Sequence, residues 1–308
     1  MHPDDAPIPL DLYALGRGAA YAAALLLIGT VTYAALLSRP RGPRQPEALA
    51  ERSLGRAARM SLLAATILLL AHGLRLYGQL RSFLDPGEPV SAEFLHVTIA
   101  ETAWGKGWTA QVIAGALAYA LAGLAAMRPE RLARFLPPGV AAVSLTLPLT
   151  GHAVEHPWGP VAGVALHAIH LLGGGAWLGT LACLALAGLG AAREGDAPEV
   201  ARLVRTFSPI ALAGAATAVL AGGLLALGYL GSLPALATTT YGRALSLKVM
   251  LLAATALVGR YNWKVVTPAL GVPEGTRRLG RTATLELALG LFLVATTAVL
   301  VALPAPAL

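Results

Sequence analysis

Four of the chain's seven histidines, His152, His156, His167 and His170, fall within nineteen positions of one another. Neutral imidazole is a good ligand for copper, zinc, iron and nickel. His167 and His170 are spaced i, i+3, which puts both rings on one face of a helix, one turn apart. His152 and His156 would stand i, i+4 if their helix persists, but Pro157 disfavours the helical conformation at the residue before it. Glu155 offers a carboxylate beside them, and His72 supplies a further imidazole from an earlier apolar segment. The set points to a transition-metal site built from His152, His167 and His170, with His156, His72 or Glu155 as further ligands. HAVEH (152–156) also fits a zinc-peptidase pattern with two histidine ligands and a glutamate base. Pro157 and the position at the end of an apolar segment speak against that, so no enzymatic activity is expected. The alternative from another class is a b-type haem cytochrome, in which two of the same histidines, on different helices, would clamp the iron.

The elements that must position these residues are membrane spans. The chain has 308 residues, 56% hydrophobic and 13% charged, whereas a soluble domain is roughly 25% charged. Crossing the hydrocarbon layer takes about 20 apolar residues. Eight runs reach or approach that length, at 12–37, 59–80, 106–127, 137–153, 161–189, 208–231, 243–262 and 282–303. The predicted fold is therefore an all-α polytopic membrane protein, a single membrane domain of eight transmembrane helices. Ionisable groups at membrane depth are costly and usually face a cavity or the bundle interior. That makes His167 and His170, six to nine residues inside the fifth run, functional candidates.

Lys and Arg gather in 38–59, 128–134, 191–206 and 260–281, which hold 17 of the 23 basic residues. Because basic loops stay on the cytoplasmic side, both termini are expected to face outward, as are all the histidines just named. The first apolar run is preceded by no basic leader and followed by no small-residue cleavage site, so it is expected to remain as a helix. The net charge of +7 is spread over short loops, as anionic membrane lipids favour; no nucleic-acid partner is expected. Cys183, the sole cysteine, reads as packing, and the four methionines are too scattered to form a thioether conduit. Glu286 is expected to pair with Arg277, Arg278 or Arg281, a role in proton or ion passage being the other reading.

An internal repeat is also legible. LLIGTVTYAAL (26–36) matches AWLGTLACLAL (176–186), Gly29 falling on Gly179, and AHGLRLYGQL (71–80) matches AGGLLALGYL (221–230), both at an offset of 150 residues. After a change of offset to 137, Thr102, Trp104, Gly105 and Lys106 fall on Thr239, Tyr241, Gly242 and Arg243. Matched helices run in the same direction, which predicts a parallel 4+4 duplication of 12–153 and 161–303 about an axis along the membrane normal. His72, His167 and His170 pair with Gly222, Arg17 and Ala20, so the ligand set belongs to one part of a doubled frame.

TGHA at 150–153, His170-x6-WLG at 170–179, RTFSPIA at 205–211, TTYGRALSLKVMLL at 239–252, RYNW at 260–263 and TLELALG at 284–290 together resemble the copper resistance D (CopD) family. The likeness is strongest from about 140 to 303. It implies an eight-helix protein of the bacterial inner membrane that binds or moves copper, with His152 and His170 as metal ligands and a small periplasmic CopC-like protein as donor. That donor is expected to be a separate protein. Relatives commonly carry an acidic residue at the position of His167; an imidazole there makes the site softer and less anionic, leaving the oxidation state of the copper open.

Overall fold

The computed structural model describes residues 12–38, 47–192 and 196–306. These residues form an all-α bundle. Its long helices are α1 (Leu12–Leu37), α2 (Glu47–Arg81), α4 (Ala103–Met127), α7 (Pro160–Gly174), α9 (Ala197–Leu230), α11 (Thr240–Tyr261) and α12 (Pro273–Ala302). Shorter pieces are α3 (Ala92–His96), α5 (Leu132–Phe135), α6 (Pro137–Thr146), α8 (Thr180–Cys183) and α10 (Ala235–Thr238). Seven stretches are long and apolar enough to cross a membrane. An eighth crossing is counted if Pro129–Phe135 and Pro137–Thr150, which meet at a 45° bend, make one span. Pro137 and Pro138 start the second limb there, where proline's missing N–H costs a helix nothing. The fifth span, Pro160–Leu189, is continuous because π-helical turns at Gly175–Gly179 and Leu184–Leu189 flank α8.

Two stretches expected as cytoplasmic loops are helical instead. α2 begins at Glu47 and α9 at Ala197, a dozen residues before their apolar runs. The charges that hide these turns from a hydropathy reading hold them together: Arg52 bridges Asp196 at 2.6 Å and donates from Nε to the Ala191 carbonyl at 3.3 Å, and Arg202 bridges Glu199 at 2.5 Å.

The first and fifth spans are the most enclosed, and Thr240–Ala269 is the least. Small residues bring the two central spans together, as they do where helices pack in lipid. A side chain on Gly29 would strike the backbone of Gly179, and one on Gly179 would strike the Leu25 carbonyl. The starts of α4 and α11 are built alike. Thr102 accepts a hydrogen bond from the Gly105 N–H and donates to the Thr98 carbonyl at 2.6 Å. Thr239 accepts from Gly242 and donates to the Ala235 carbonyl at 2.7 Å. Each pair of partners is separated by the same 137 positions as the sequence match.

Gly179→Ala should destabilise the protein by about 1–3 kcal/mol or more, the usual cost of overpacking. Gly223, around which the structure leaves open space, should tolerate Ala with no loss. Thermal unfolding of the two variants in detergent checks the contrast.

Candidate metal centre

The end of the bundle at which α1 begins and α12 ends carries a cleft of about 530 Å³ lined by Tyr13, Arg17, Trp104, Thr150, His152 and Glu155 among others. Beneath it lies a water-sized pocket of about 10 Å³ that His152 and His167 share with Arg17, Tyr21, Arg75 and Thr150. His152 lines both spaces and so stands between them.

After Thr150, where the bent pair of helices ends, the chain continues in a 3-10 turn, His152–Glu155, and His156 follows with ψ 135. The helical i, i+4 pair does not form, because Pro157 turns its predecessor out of the helix. His156 lies buried against Gly228. Its Nδ1 accepts the Trp158 backbone N–H at 3.1 Å, so the proton sits on Nε2, which has no partner.

His167 and His170 are held differently. His167 Nδ1 lies 3.1 Å from the Gly163 carbonyl one turn earlier. His170 Nδ1 lies 2.7 Å from the Ala218 carbonyl of α9, its ring seated where a side chain on Gly222 would collide with it. His152 Nε2 lies 3.0 Å from the Leu303 carbonyl at the end of α12. A carbonyl oxygen only accepts, so in each case the bonded nitrogen carries the proton and the other ring nitrogen keeps its lone pair. Histidines that bind metals are commonly set in this way.

The rings of His152, His156 and His167 surround Tyr229, at 6.1, 4.9 and 6.0 Å between centroids. Glu155 is on the cleft wall. His72 stands apart: it faces Gly115 of α4, and Trp108 caps its backbone carbonyl at 2.9 Å. Among the described residues no three His, Cys, Asp or Glu side chains converge as a ready-made metal cage. A haem clamped by two of these histidines would need a slot between helices, whereas the space shared by His152 and His167 is water-sized.

Burial holds the side chain of His152 below the usual histidine pKa, and the nearby Arg17 guanidinium adds to the effect. Burial lowers His156 as well. Both therefore favour the neutral form, which in His152 leaves a lone pair free to ligate.

Several residues that shape this end were not singled out from sequence. Tyr229, Gly222 and Gly228 of α9 seat the imidazoles. Arg17 and Arg75 are both buried, and their signal was available: a guanidinium inside an apolar run is itself unusual. Lys248 of α11 lies within electrostatic reach of His167 and His170. Among the described residues Glu286 is not paired with an arginine: it accepts from Asn262 at 3.0 Å, while Arg277 bridges Glu274 and Arg278 donates to the Tyr261 hydroxyl. The π-helical turn Asn262–Val266 places the amide beside the carboxylate.

Residues 201–300 match the family described as copper resistance protein D. The chain is 29% identical over 229 residues to copper transport protein CutJ of Bacillus subtilis (strain 168), covering 71% of this chain and 40% of the relative. It thus spans less than half the length of that protein. No solved structure matches. With residues 8–164, half of its length, matching the model for the copper resistance protein D-like N-terminal domain, the chain belongs to the copper resistance protein D family.

Proposed function

We propose that this multi-pass membrane protein takes up copper on the outer side of the bacterial inner membrane and passes it inward along His152, His167 and His170. The observation that carries the reading is the shared setting of these three rings, each with one nitrogen on a backbone carbonyl and the other left with its lone pair. Family membership and the name of the relative, a copper transport protein, supply the metal. The cleft admits it and His152 receives it; His167 and His170 lie one and two steps deeper. Lone pairs offered singly suit a cargo that has to leave, since conduction needs binding weak enough for release. Glu155 extends the receiving surface at the rim. His156, whose lone pair is engaged by Trp158, contributes to the seat around Tyr229, and His72 is outside the path.

The frame in this reading consists of two parallel four-helix halves, 12–153 and 161–303, with both termini outside. The enclosed first and fifth spans, the Gly29–Gly179 contact and the matching caps at Thr102 and Thr239 support it. A small periplasmic CopC-like protein is the proposed donor. Ion passage through these groups involves no covalent chemistry, so the protein acts as a carrier and not as an enzyme. Beyond His170 the fifth span continues through Gly173, Gly174 and Gly175 to Trp177, which lies within hydrogen-bonding reach of Glu286. Glu286 and Asn262 are the polar groups available to the inner part of the path.

His152→Ala and His167→Ala should each weaken copper binding by more than tenfold, and His72→Ala should leave it unchanged. Gly222→Ala, which unseats His170 from its carbonyl, should cost about 10–100-fold, the usual effect of losing the partner that orients a ligand. Competition with a chromogenic chelator, on protein of wild-type helical content, reads all four. A result in which His72→Ala abolishes binding while His152→Ala and His167→Ala do not would refute the path.

Copper requires neutral imidazole. Since the folded protein holds the pKa of His152 below the ordinary value of about 6.5, copper should stay bound as the pH falls through that value. It should be released only at lower pH, as measured by copper retention between pH 7.5 and 5.

A further inference from the structure

Arg17 and Arg75 sit in the outer half of the bundle with 6% and 1% of their surface exposed. Their hydrogen-bond partners are all neutral. Arg75 donates to Gln111 Oε1 at 2.6 Å, to the Tyr13 hydroxyl at 3.4 Å and to the Thr150 hydroxyl. Arg17 donates to the Val301 carbonyl at 2.7 Å, to the Tyr13 hydroxyl at 2.8 Å and to the Thr150 carbonyl at 3.0 Å. Trp104 Nε1 adds a third type of donor to the Tyr13 hydroxyl at 3.0 Å. The ion pairs found among the described residues all lie elsewhere, at Arg52–Asp196, Arg202–Glu199 and Arg277–Glu274. Glu155 is exposed on the wall of the cleft and does not line the pocket below.

Two guanidinium charges are thus withdrawn from water with no carboxylate between them among the described residues, an arrangement that is costly when left uncompensated. Both line the pocket of about 10 Å³, together with His152, His167 and Thr150. Its size is close to the minimum that holds one water molecule. The Nε–H of Arg75, a residue of the pocket wall, is buried without a hydrogen-bond partner. The pocket is reached from the outer cleft, with which it shares Arg17, Thr150, Gly151, His152 and Val301.

We infer that this pocket is a binding site for a small monovalent inorganic anion of the halide class, held by Arg17 and Arg75. The anion supplies the charge that the protein omits, and its size limit excludes sulfate and organic anions. The inference goes beyond the copper reading, because the site is complete without metal. Where copper does bind at His152 and His167, the same anion offsets the repulsion between the cation and the two guanidinium groups.

The test uses copper-free protein in detergent and radioactive chloride in a scintillation proximity assay. Saturable binding is expected, displaced by bromide and not by sulfate or gluconate, and weakened at least about tenfold in Arg17→Gln of wild-type helical content. Arg75→Gln serves as the second variant. Because either substitution could unfold the bundle, the wild-type protein supplies an independent reading: its unfolding temperature should be higher in chloride than in gluconate at equal ionic strength, the linkage expected of a ligand bound only by the folded state. Folded wild-type protein with no saturable chloride binding and no such difference would overturn the proposal. So would a tyrosinate absorption band at neutral pH that disappears in Tyr13→Phe, since Tyr13 would then be the counter-charge. Copper affinity is not read in any of these arms, so loss of the copper reading leaves the result standing.

Discussion

An imidazole placed inside a bilayer has one N–H, and water is not there to accept it. The group must find an acceptor within the protein or add the cost of an unsatisfied donor to that of its burial. In this protein the acceptors for His167 and His170, inside the fifth span, are the backbone carbonyls of Gly163 and Ala218, and His152, just past the end of its own span, is set in the same way on the Leu303 carbonyl. Satisfying the donor fixes the tautomer and orients the ring, and the lone pair follows from both. The same constraint explains the glycines of α9. A ring can reach the carbonyl of a neighbouring helix only if that helix is thin there, and Gly222 makes it so for His170. Gly228 admits His156 in the same way, but there the ring meets Tyr229 and the Trp158 N–H, so its lone pair is spent and its N–H is left over.

Charge is subject to the constraint as well. The N-terminal turns of α2 and α9 carry arginines paired with acids. Arg17 and Arg75 are buried instead among hydroxyls, amides and carbonyls. The histidine pocket is therefore electropositive before any metal arrives. Those two arginines draw α1, α2, α4 and the Thr150 segment into one hydrogen-bonded unit, on which His152 rests.

Much of the scaffold could be read from composition, because hydrocarbon thickness sets a length that apolar runs must meet. The spans and the helical spacing of His167 and His170 were legible for that reason. The charged first turns of α2 and α9 were not, since their charges mimic a loop until Arg52 is seen against Asp196. Pro157 signalled that His156 would leave the helix, but not that its lone pair would be used. The pairing of Glu286 was misread: charge alone suggested an arginine, whereas a π-helical turn brings Asn262 to it. Tyr229 and the glycine seats were invisible because they act only across helices. Arg17 and Arg75 were visible as residues; their convergence required the fold.

The central claim is that copper is held by outward-facing imidazoles whose other nitrogen is fixed by the backbone. X-ray absorption at the copper edge of the loaded protein tests it most directly. The account predicts a nitrogen first shell with the outer-shell scattering of imidazole, reduced by one ring in His167→Ala. A sulfur-dominated shell, or a nitrogen and oxygen shell without imidazole scattering, would contradict it.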